Sequence, residues 1–318
     1  MTQQHVFVMD PLERIDIEGD STFVLMLEAQ RRGHTVLFAE PRHLLQRGAE
    51  TWVKAWRAQV QRQKGAHFAL HEQSTICLDE VDAVYMRKDP PFDVDYLLAT
   101  WLLDRVDRAR VVMVNDSRAI RDLNEKLHPM LFPHLMAPTM ISADRQELRR
   151  FIDDHGASVV KPLLNAGGTG VVLLERGDRN IGSVLDLLTL EGRRHIAVQK
   201  FIPAVTEGDK RIILLDGRVL GAINRRPRPD DLRANMHVGG AAEPARLTPR
   251  EEQICAELGP ELSRRGLVFV GIDVIGGHLT EINVTSPTGL QEVNRFEGVQ
   301  LEAQILDWVE AKRASLRG

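Results

Sequence analysis

Residues 266–288 read GLVFVGIDVIGGHLTEINVTSPT. Two short apolar runs flank Gly276-Gly277, the pattern of a β-hairpin. Register decides what this hairpin can do, because cross-strand partners share a face and every second residue returns to it. A three-residue loop, Gly276 to His278, pairs Ile275 with Leu279, Asp273 with Glu281 and Gly271 with Asn283. Asp273, Glu281 and Asn283 then share one face, with Ile272, Val274, Ile282 and Val284 on the other. A loop of two or four residues would split the three oxygen-bearing side chains between faces. Two carboxylates and an amide on one pleat form a hard oxygen site, suited to Mg²⁺ shared with phosphate oxygens. The plain alternative is a half-solvated hairpin with ordinary surface acids. The metal reading is preferred because Glu281 and Asn283 interrupt a β-rich run where such residues are depleted.

The whole chain bounds the rest. Its 318 residues are enough for about two domains. With 43% hydrophobic and 27% charged residues it is of soluble, globular composition. The formal charge is −4, with basic residues dispersed, so neither a nucleic-acid surface nor a membrane patch is indicated. Cys77 and Cys255 show neither metal spacing nor a disulfide framework, which fits a reducing cytoplasm. No apolar run is long enough to span a bilayer, and residues 1–9 are no signal peptide.

Outward toward the N-terminus, HVFVM (5–9) is a buried strand leading to Asp10-Pro11. A helix from Ser21, a stop at Gly33 and the strand TVLFAE complete a β-α-β start, which predicts a parallel sheet. No GxGxxG follows the first strand. Asp10 leaves the carboxyl end of that strand, where open α/β sheets bind ligands; a turn cap is the competing role. Residues 42–75 are polar and helix-prone, with Trp52 and Trp56 as an i, i+4 packing stripe. VDAVYM (81–86) is a strand running into Arg87-Lys88-Asp89-Pro90-Pro91. Cations at a strand exit, held by two prolines, suit an anionic substrate, or else form a solvated loop. A helix over 95–108 and the strand VVMVN (111–115) close this first unit.

The second unit opens on Asn124-Glu125-Lys126-Leu127, followed by a helix over 146–155. Lys161 lies on the strand 159–163, which leads into a glycine-rich turn, Asn165 to Gly170, containing Gly167 and Gly168. Such a turn exposes N–H groups to phosphate oxygens, and a buried lysine beside it needs an anion. It is no Walker A loop, since strands rather than a helix follow. The segment ending Gln199-Lys200-Phe201-Ile202 offers free backbone edges to an adenine, or is an ordinary linker strand. The arginine-rich stretch 224–240 reads as a mobile loop, its arginines either solvated or folded over an intermediate. An amphipathic helix, 248–265, precedes the hairpin, and 301–313 is a final helix.

Taken together, MDP (9–11), MRKDPPFD (86–93), NEKL (124–127), KP (161–162), EGDKR (207–211) and VGID…TEINVTSPT (270–288) resemble the ATP-grasp ligases, and within them the prokaryotic glutathione synthetases, over nearly the whole chain. Two departures stand out: Asn165 where an acidic residue is expected, and a less glycine-rich loop at 226–235. The resemblance implies an α/β and α+β protein: a Rossmann-like pre-ATP-grasp domain (1–122), then an ATP-grasp domain (123–318) made of a lid subdomain (123–200) and a C-terminal subdomain (201–318). It implies ATP-dependent joining of γ-glutamylcysteine to glycine through an acyl phosphate, with Mg²⁺ (or Mn²⁺) as cofactor, in a cytoplasmic homo-oligomer without nucleic-acid or membrane partners. It further implies that Lys126, Lys161, Gly167 and Gly168 hold ATP phosphates, that Gln199, Lys200, Phe201 and Ile202 contact adenine, and that Asp209 binds ribose. Asp273, Glu281 and Asn283 would carry the metal, and Arg211 and Arg225 would stabilise the acyl phosphate. Asp10, Arg87, Arg233, Asn235, Ser286, Pro287 and Thr288 would orient dipeptide and glycine. Two alternatives remain: a related carboxylate–amine ligase with another acceptor, and a nucleotide-binding regulator without catalysis.

Overall fold

The first strand, β1 (Gln4–Met9), is buried over five of its residues and lies between two parallel neighbours, as its unbroken apolar run requires. The structure, a computed structural model, describes residues 2–317 except 166, 232 and 235–238. After β1 come α1 (Ser21–Arg31), capped by the Asp20 side chain, and β2 (Thr35–Ala39). Next are β3 (Leu44–Arg47), β4 (Glu50–Val60), β5 (Phe68–Cys77), β6 (Ala83–Arg87), α2 (Val94–Leu103), β7 (Val112–Val114) and α3 (Ser117–Asp122). Their strands form a seven-stranded sheet in the order β3-β4-β2-β1-β6-β7, with β5 on the other edge of β4. Helix α1 packs with Phe7 and Tyr85 on one face, and α2 packs with Val6, Val8 and Met86 on the opposite face. The order therefore reverses between β1 and β6, and their carboxyl ends open a crevice that carries Asp10 and Arg87.

The stretch 42–75 is not helical. It forms the antiparallel strands β3, β4 and β5, and Trp52 and Trp56 occupy strand positions on β4. Spacing i, i+4 returns to the same side in a strand as well as in a helix. Trp56 meets Phe38 and His43, and Arg47 stacks over Trp52.

The second sheet has the order β10-β9-β11-β8, from β8 (Thr139–Ser142), β9 (Ser158–Pro162), β10 (Val172–Leu174) and β11 (Ile196–Lys200). It is covered by α4 (Arg145–His155) and α5 (Ile181–Thr189), whose Leu148, Ile152, Ile181 and Leu185 join Val160 and Val198 in one core. The third sheet, β14-β13-β12-β15-β16, comprises β12 (Asp209–Leu215), β13 (Arg218–Arg226), β14 (Ala241–Pro244), β15 (Phe269–Ile275) and β16 (His278–Asn283). Helix α6 (Pro249–Arg264) lies behind it with a Thr248–Glu251 capping box.

The hairpin β15–β16 reaches the expected register by another route. Its loop is two residues, Gly276 and Gly277, both at positive φ, so Ile275 pairs with His278 and Val274 with Leu279 rather than Ile275 with Leu279. Thr280 is then an extra residue in β16, a bulge whose hydroxyl donates to the Asp273 carbonyl (3.0 Å). The bulge restores Asp273↔Glu281 and Gly271↔Asn283. Glycines at both turn positions permit the tight turn whose twist fits the strands, and one inserted residue corrects its parity.

Two helices close the chain: α7 (Leu290–Glu297), which the sequence pattern does not predict, and α8 (Leu301–Arg317), longer than the expected 301–313. Helix α8 returns to the first unit. Arg32 on the end of α1 reaches Asp307 (2.8 Å) and Glu310 (3.0 Å), His34 meets Glu310 (2.8 Å), and Arg313 meets Asp82 (2.7 Å). Ile305, Leu306 and Val309 share a core with Phe23, Met26 and Val36.

Candidate active site

Between the second and third sheets lies a cleft with an apolar half and a charged half. Val159, Val171, Leu173, Phe201, Ile202 and Ile275 line the first; Lys126, Lys161, Asp209, Asp273 and Glu281 line the second. The glycine-rich turn adds Gly167 and Gly168, at φ +66° and +77°, and Gly170 at +78°. A side chain at Gly170 would meet Pro162 at 2.8 Å, so this turn needs glycine for both its backbone angle and its close approach.

Asp273 is the buried centre of the charged half. Arg211 grips it twice, Nε to Oδ1 (2.6 Å) and Nη2 to Oδ2 (3.0 Å). Arg225 Nη2 lies 3.0 Å from the same Oδ2 and 2.5 Å from Asp209 Oδ2, and Asn283 Nδ2 donates to Asp273 at 3.2 Å. Burial works against the charge of Asp273, but the two guanidinium groups overcome it and hold the carboxyl well below the usual range. Asp209 goes the other way. Burial pushes it up, Arg225 opposes this, and the nearby Asp273 and Glu281 add to the rise. Its Oδ1 is buried and has no hydrogen-bond partner among the described residues.

Lys126 Nζ donates to the Asn165 carbonyl (2.8 Å), pairs tightly with Glu125 and lies 3.7 Å from Glu281. Glu125 is a site residue that sequence reasoning passed over, although it stands in the NEKL motif. Burial and the charge of Glu281 push its carboxyl up. Lys161 reaches Gln199 Oε1 (3.2 Å), and Gln199 Nε2 donates to Thr139. The expected free backbone edge at 199–202 is partly taken: the Lys200 N–H goes to Pro138 and the Phe201 N–H to Ala157.

On the crevice side, Arg87 Nη2 donates to the Pro287 carbonyl (2.9 Å), and Arg211 Nη1 to the next carbonyl, Thr288 (3.2 Å). The Pro287 carbonyl, between Ser286 and Thr288, thus links the two halves of the molecule. Asp10 is held by Lys88 (2.9 Å) and by the Asp89 N–H (2.8 Å). Arg233 lines the cleft but is bound within its own loop to Asp231 (2.6 Å). Asn235 lies outside the described residues. A second residue missed from sequence is Asn115. Its amide donates to the Phe269 and Val284 carbonyls (both 2.7 Å) and accepts from the Phe269 N–H (2.7 Å), tying the open end of the hairpin to the first unit.

Comparison with known proteins identifies the family. A family model described as "Prokaryotic glutathione synthetase, N-terminal domain" matches residues 4–121, and "Prokaryotic glutathione synthetase, ATP-grasp domain" matches 125–298. The chain belongs to the prokaryotic glutathione synthetase family. The glutathione synthetase of Rhodopseudomonas palustris is 48% identical, covering 99% of this chain and 100% of that protein. That of Synechocystis is 43% identical, over 96% and 98%. Among solved structures, D-cycloserine synthetase DcsG has a TM-score of 0.67 at 16% identity, covering 97% of this chain and 99% of its own. The ATP-grasp ligase PsnB with Mg and ADP has a TM-score of 0.60 at 15% identity over 98% of both chains. These last two share the fold. A member of this family is an ATP-dependent ligase.

Mg²⁺ fits the residues present. Among the described residues no three His, Cys, Asp or Glu side chains form a ready cage. Mg²⁺ ordinarily needs fewer, taking one or two carboxylates together with nucleotide phosphates. Among the described residues, Asn283 donates its Nδ2 to Asp273 and its amide oxygen receives no donor, while Asp273 Oδ1 receives one, so both oxygens could face a cation. Four carboxylates, Asp209, Asp273, Glu281 and Glu125, face four cations, Lys126, Lys161, Arg211 and Arg225, so the protein supplies no surplus of positive charge here. A triphosphate entering this cleft would bring more negative charge, which a divalent ion offsets.

Proposed function

We propose that this protein joins γ-glutamylcysteine to glycine with ATP, giving glutathione, ADP and phosphate. What carries the reading is the clasp of Arg211 and Arg225 around Asp273, with Glu281 and Lys126 beside it, at the charged end of an otherwise apolar cleft. The apolar half suits adenine, with Gln199 to Ile202 at its rim and Asp209 toward the ribose. Lys126, Lys161 and the N–H groups around Gly167 and Gly168 hold the phosphates.

A carboxylate is a poor electrophile, so its oxygen first takes the γ-phosphoryl group. This step depends on positioning and charge neutralisation. Bound at Asp273, Glu281 and Asn283, Mg²⁺ (or Mn²⁺) would neutralise the phosphates. Arg211 and Arg225 orient the acyl phosphate and then the tetrahedral species formed when the glycine amine attacks and phosphate leaves. Arg87, Asp10, Arg233, Asn235 and the 286–288 segment orient the two substrates. The division at 122/123, with a lid over 123–200, places a hinge beside Lys126. A cytoplasmic homo-oligomer completes the proposal, and free, buried Cys77 and Cys255 are in keeping with that compartment.

A coupled assay of ADP release tests it. Release should require γ-glutamylcysteine and glycine together; efficient turnover with another dipeptide–amine pair and none with this one would replace the proposal with a different ligase.

A further inference from the structure

Three consecutive residues, Asn124, Glu125 and Lys126, tie the two walls of the cleft together, each through a different group. Asn124 Nδ2 donates to the Leu163 carbonyl (2.7 Å), directly after β9 at the entry to the glycine-rich turn. Lys126 Nζ donates to the Asn165 carbonyl (2.8 Å), further into that turn. The Glu125 carbonyl accepts the Ile282 N–H (2.9 Å), and Ile282 stands between Glu281 and Asn283 on β16. The turn assigned to the phosphates and the strand assigned to the metal are therefore held by one short segment. The direction of the Asn124 amide is fixed at both ends. Its Oδ1 accepts the Lys126 and Leu127 N–H groups (3.0 and 3.1 Å), which can only donate, and its Nδ2 faces a carbonyl, which can only accept. The oxygen shapes the backbone at Lys126, and the nitrogen sets where the glycine-rich turn stands against it.

Packing does not fix the turn in the same way. Asn165, Gly167 and Gly168 face the cleft, and behind the turn Asn124, Leu163, Leu164 and Val284 line a separate cavity of about 230 Å³. Leu164 is half exposed, and a side chain at Gly167 would meet nothing within 4 Å. Among the described residues, the hydrogen bonds that reach this turn from outside its own sheet are those of Asn124 and Lys126. A triphosphate that engages Lys126 Nζ draws it away from the Asn165 carbonyl, and the Asn124 bond is then the one that remains. Asn124 lines the rear cavity rather than the cleft, so it can hold the turn throughout nucleotide binding.

We propose that Asn124 is a positioning residue for the nucleotide phosphates: its amide holds the glycine-rich turn at the distance from Lys126 and β16 that a metal-bound triphosphate spans. This assignment rests on the ATP-dependent function proposed above and adds a residue that serves it from outside the cleft.

The test compares the affinity of the full chain for two probes by titration calorimetry: the non-hydrolysable ATP analogue AMP-PNP with Mg²⁺, and AMP, which fills the adenine half but carries no β- or γ-phosphate. Asn124→Asp keeps an oxygen for the two N–H groups and sets a carboxylate oxygen against the Leu163 carbonyl. Asn124→Ser keeps a capping oxygen and is too short to reach Leu163. Affinity for Mg–AMP-PNP should fall by about 10-fold or more in Asn124→Asp and by about 3- to 10-fold in Asn124→Ser, while AMP affinity stays within about twofold of wild type. Both affinities are read on the same sample, so an unfolded fraction does not alter their ratio. Equal weakening of both probes would mark a loss of structure in general, and Mg–AMP-PNP affinity within about twofold of wild type in both variants would leave the bridge without a role; either result overturns the assignment. A wild type that binds neither probe overturns the nucleotide reading of the cleft together with it. A wild type that binds Mg–AMP-PNP but releases no ADP with γ-glutamylcysteine and glycine overturns the choice of substrates alone, and the variant affinities still decide Asn124.

Discussion

Asp273 Oδ2 receives three donors, from Arg211, Arg225 and Asn283, so the charge of each partner depends on the others. Arg225→Ala leaves Asp209 and Asp273 short of a buried countercharge, a loss on the order of 3–5 kcal/mol of stability. Its kinetic signature should be a fall in kcat of about 100-fold or more with a much smaller change in ATP affinity, as for a group that acts mainly in the transition state. Loss of ATP binding at unchanged kcat would move Arg225 out of that role. Glu281→Ala should lower turnover by at least about 100-fold and shift the Mg²⁺ requirement upward, read by titrating Mg²⁺ in the ADP assay and by nucleotide-dependent Mg²⁺ binding. Undiminished turnover at low Mg²⁺ would remove Glu281 from the metal site.

At the scale of elements, the hairpin shows what a sequence pattern can and cannot carry. The facing of Asp273, Glu281 and Asn283 was legible from the alternation of apolar residues, because a buried face leaves the register little freedom. The route to it was not, because a tight glycine turn with a bulge at Thr280 and a wider loop without one give the same pairing beyond them. Strand β4 was misread because its tryptophans recur at a spacing that helix and strand both satisfy, and only its pairing with β3 and β5 decides between them. Glu125 and Asn115 are invisible in the sequence for a further reason: each meets residues distant in sequence, Glu281 and the Phe269 and Val284 backbone, and no local period marks that. Asn115 makes the point testable. Asn115→Ala leaves a buried N–H and two carbonyls at the mouth of the hairpin without partners, at a cost of about 2–4 kcal/mol in denaturant unfolding. A cost under about 0.5 kcal/mol would mean that water or a backbone shift replaces the amide.

For the molecule as a whole, acid stability should carry the mark of His5. It is fully buried, stacked on His34 at 4.7 Å and hydrogen-bonded to Tyr85 (3.1 Å). Burial first, and then the neighbouring His34, bring its pKa down to about 3. The folded protein therefore keeps His5 neutral where the unfolded chain, with an ordinary value near 6.5, binds a proton. The contribution of neutral His5 is complete above about pH 6.5 and is lost as pH falls toward about 3, at a limiting slope of about 1.4 kcal/mol per pH unit. His5→Gln should flatten the pH dependence of unfolding free energy inside that window and leave it unaltered at neutral pH and above; an unchanged slope would show that His5 is protonated in the folded state.

The clasp between α1 and α8 joins residues 275 positions apart, Arg32 and Asp307. A ribosome delivers the first of these long before the second. Until residues 301–317 emerge, the apolar face that Phe23, Met26 and Val36 present to Ile305, Leu306 and Val309 has nothing of its own to rest on. Nearly the whole chain must therefore be translated before that face is covered, and a stalled nascent chain would be a natural client of a chaperone that shelters greasy surfaces.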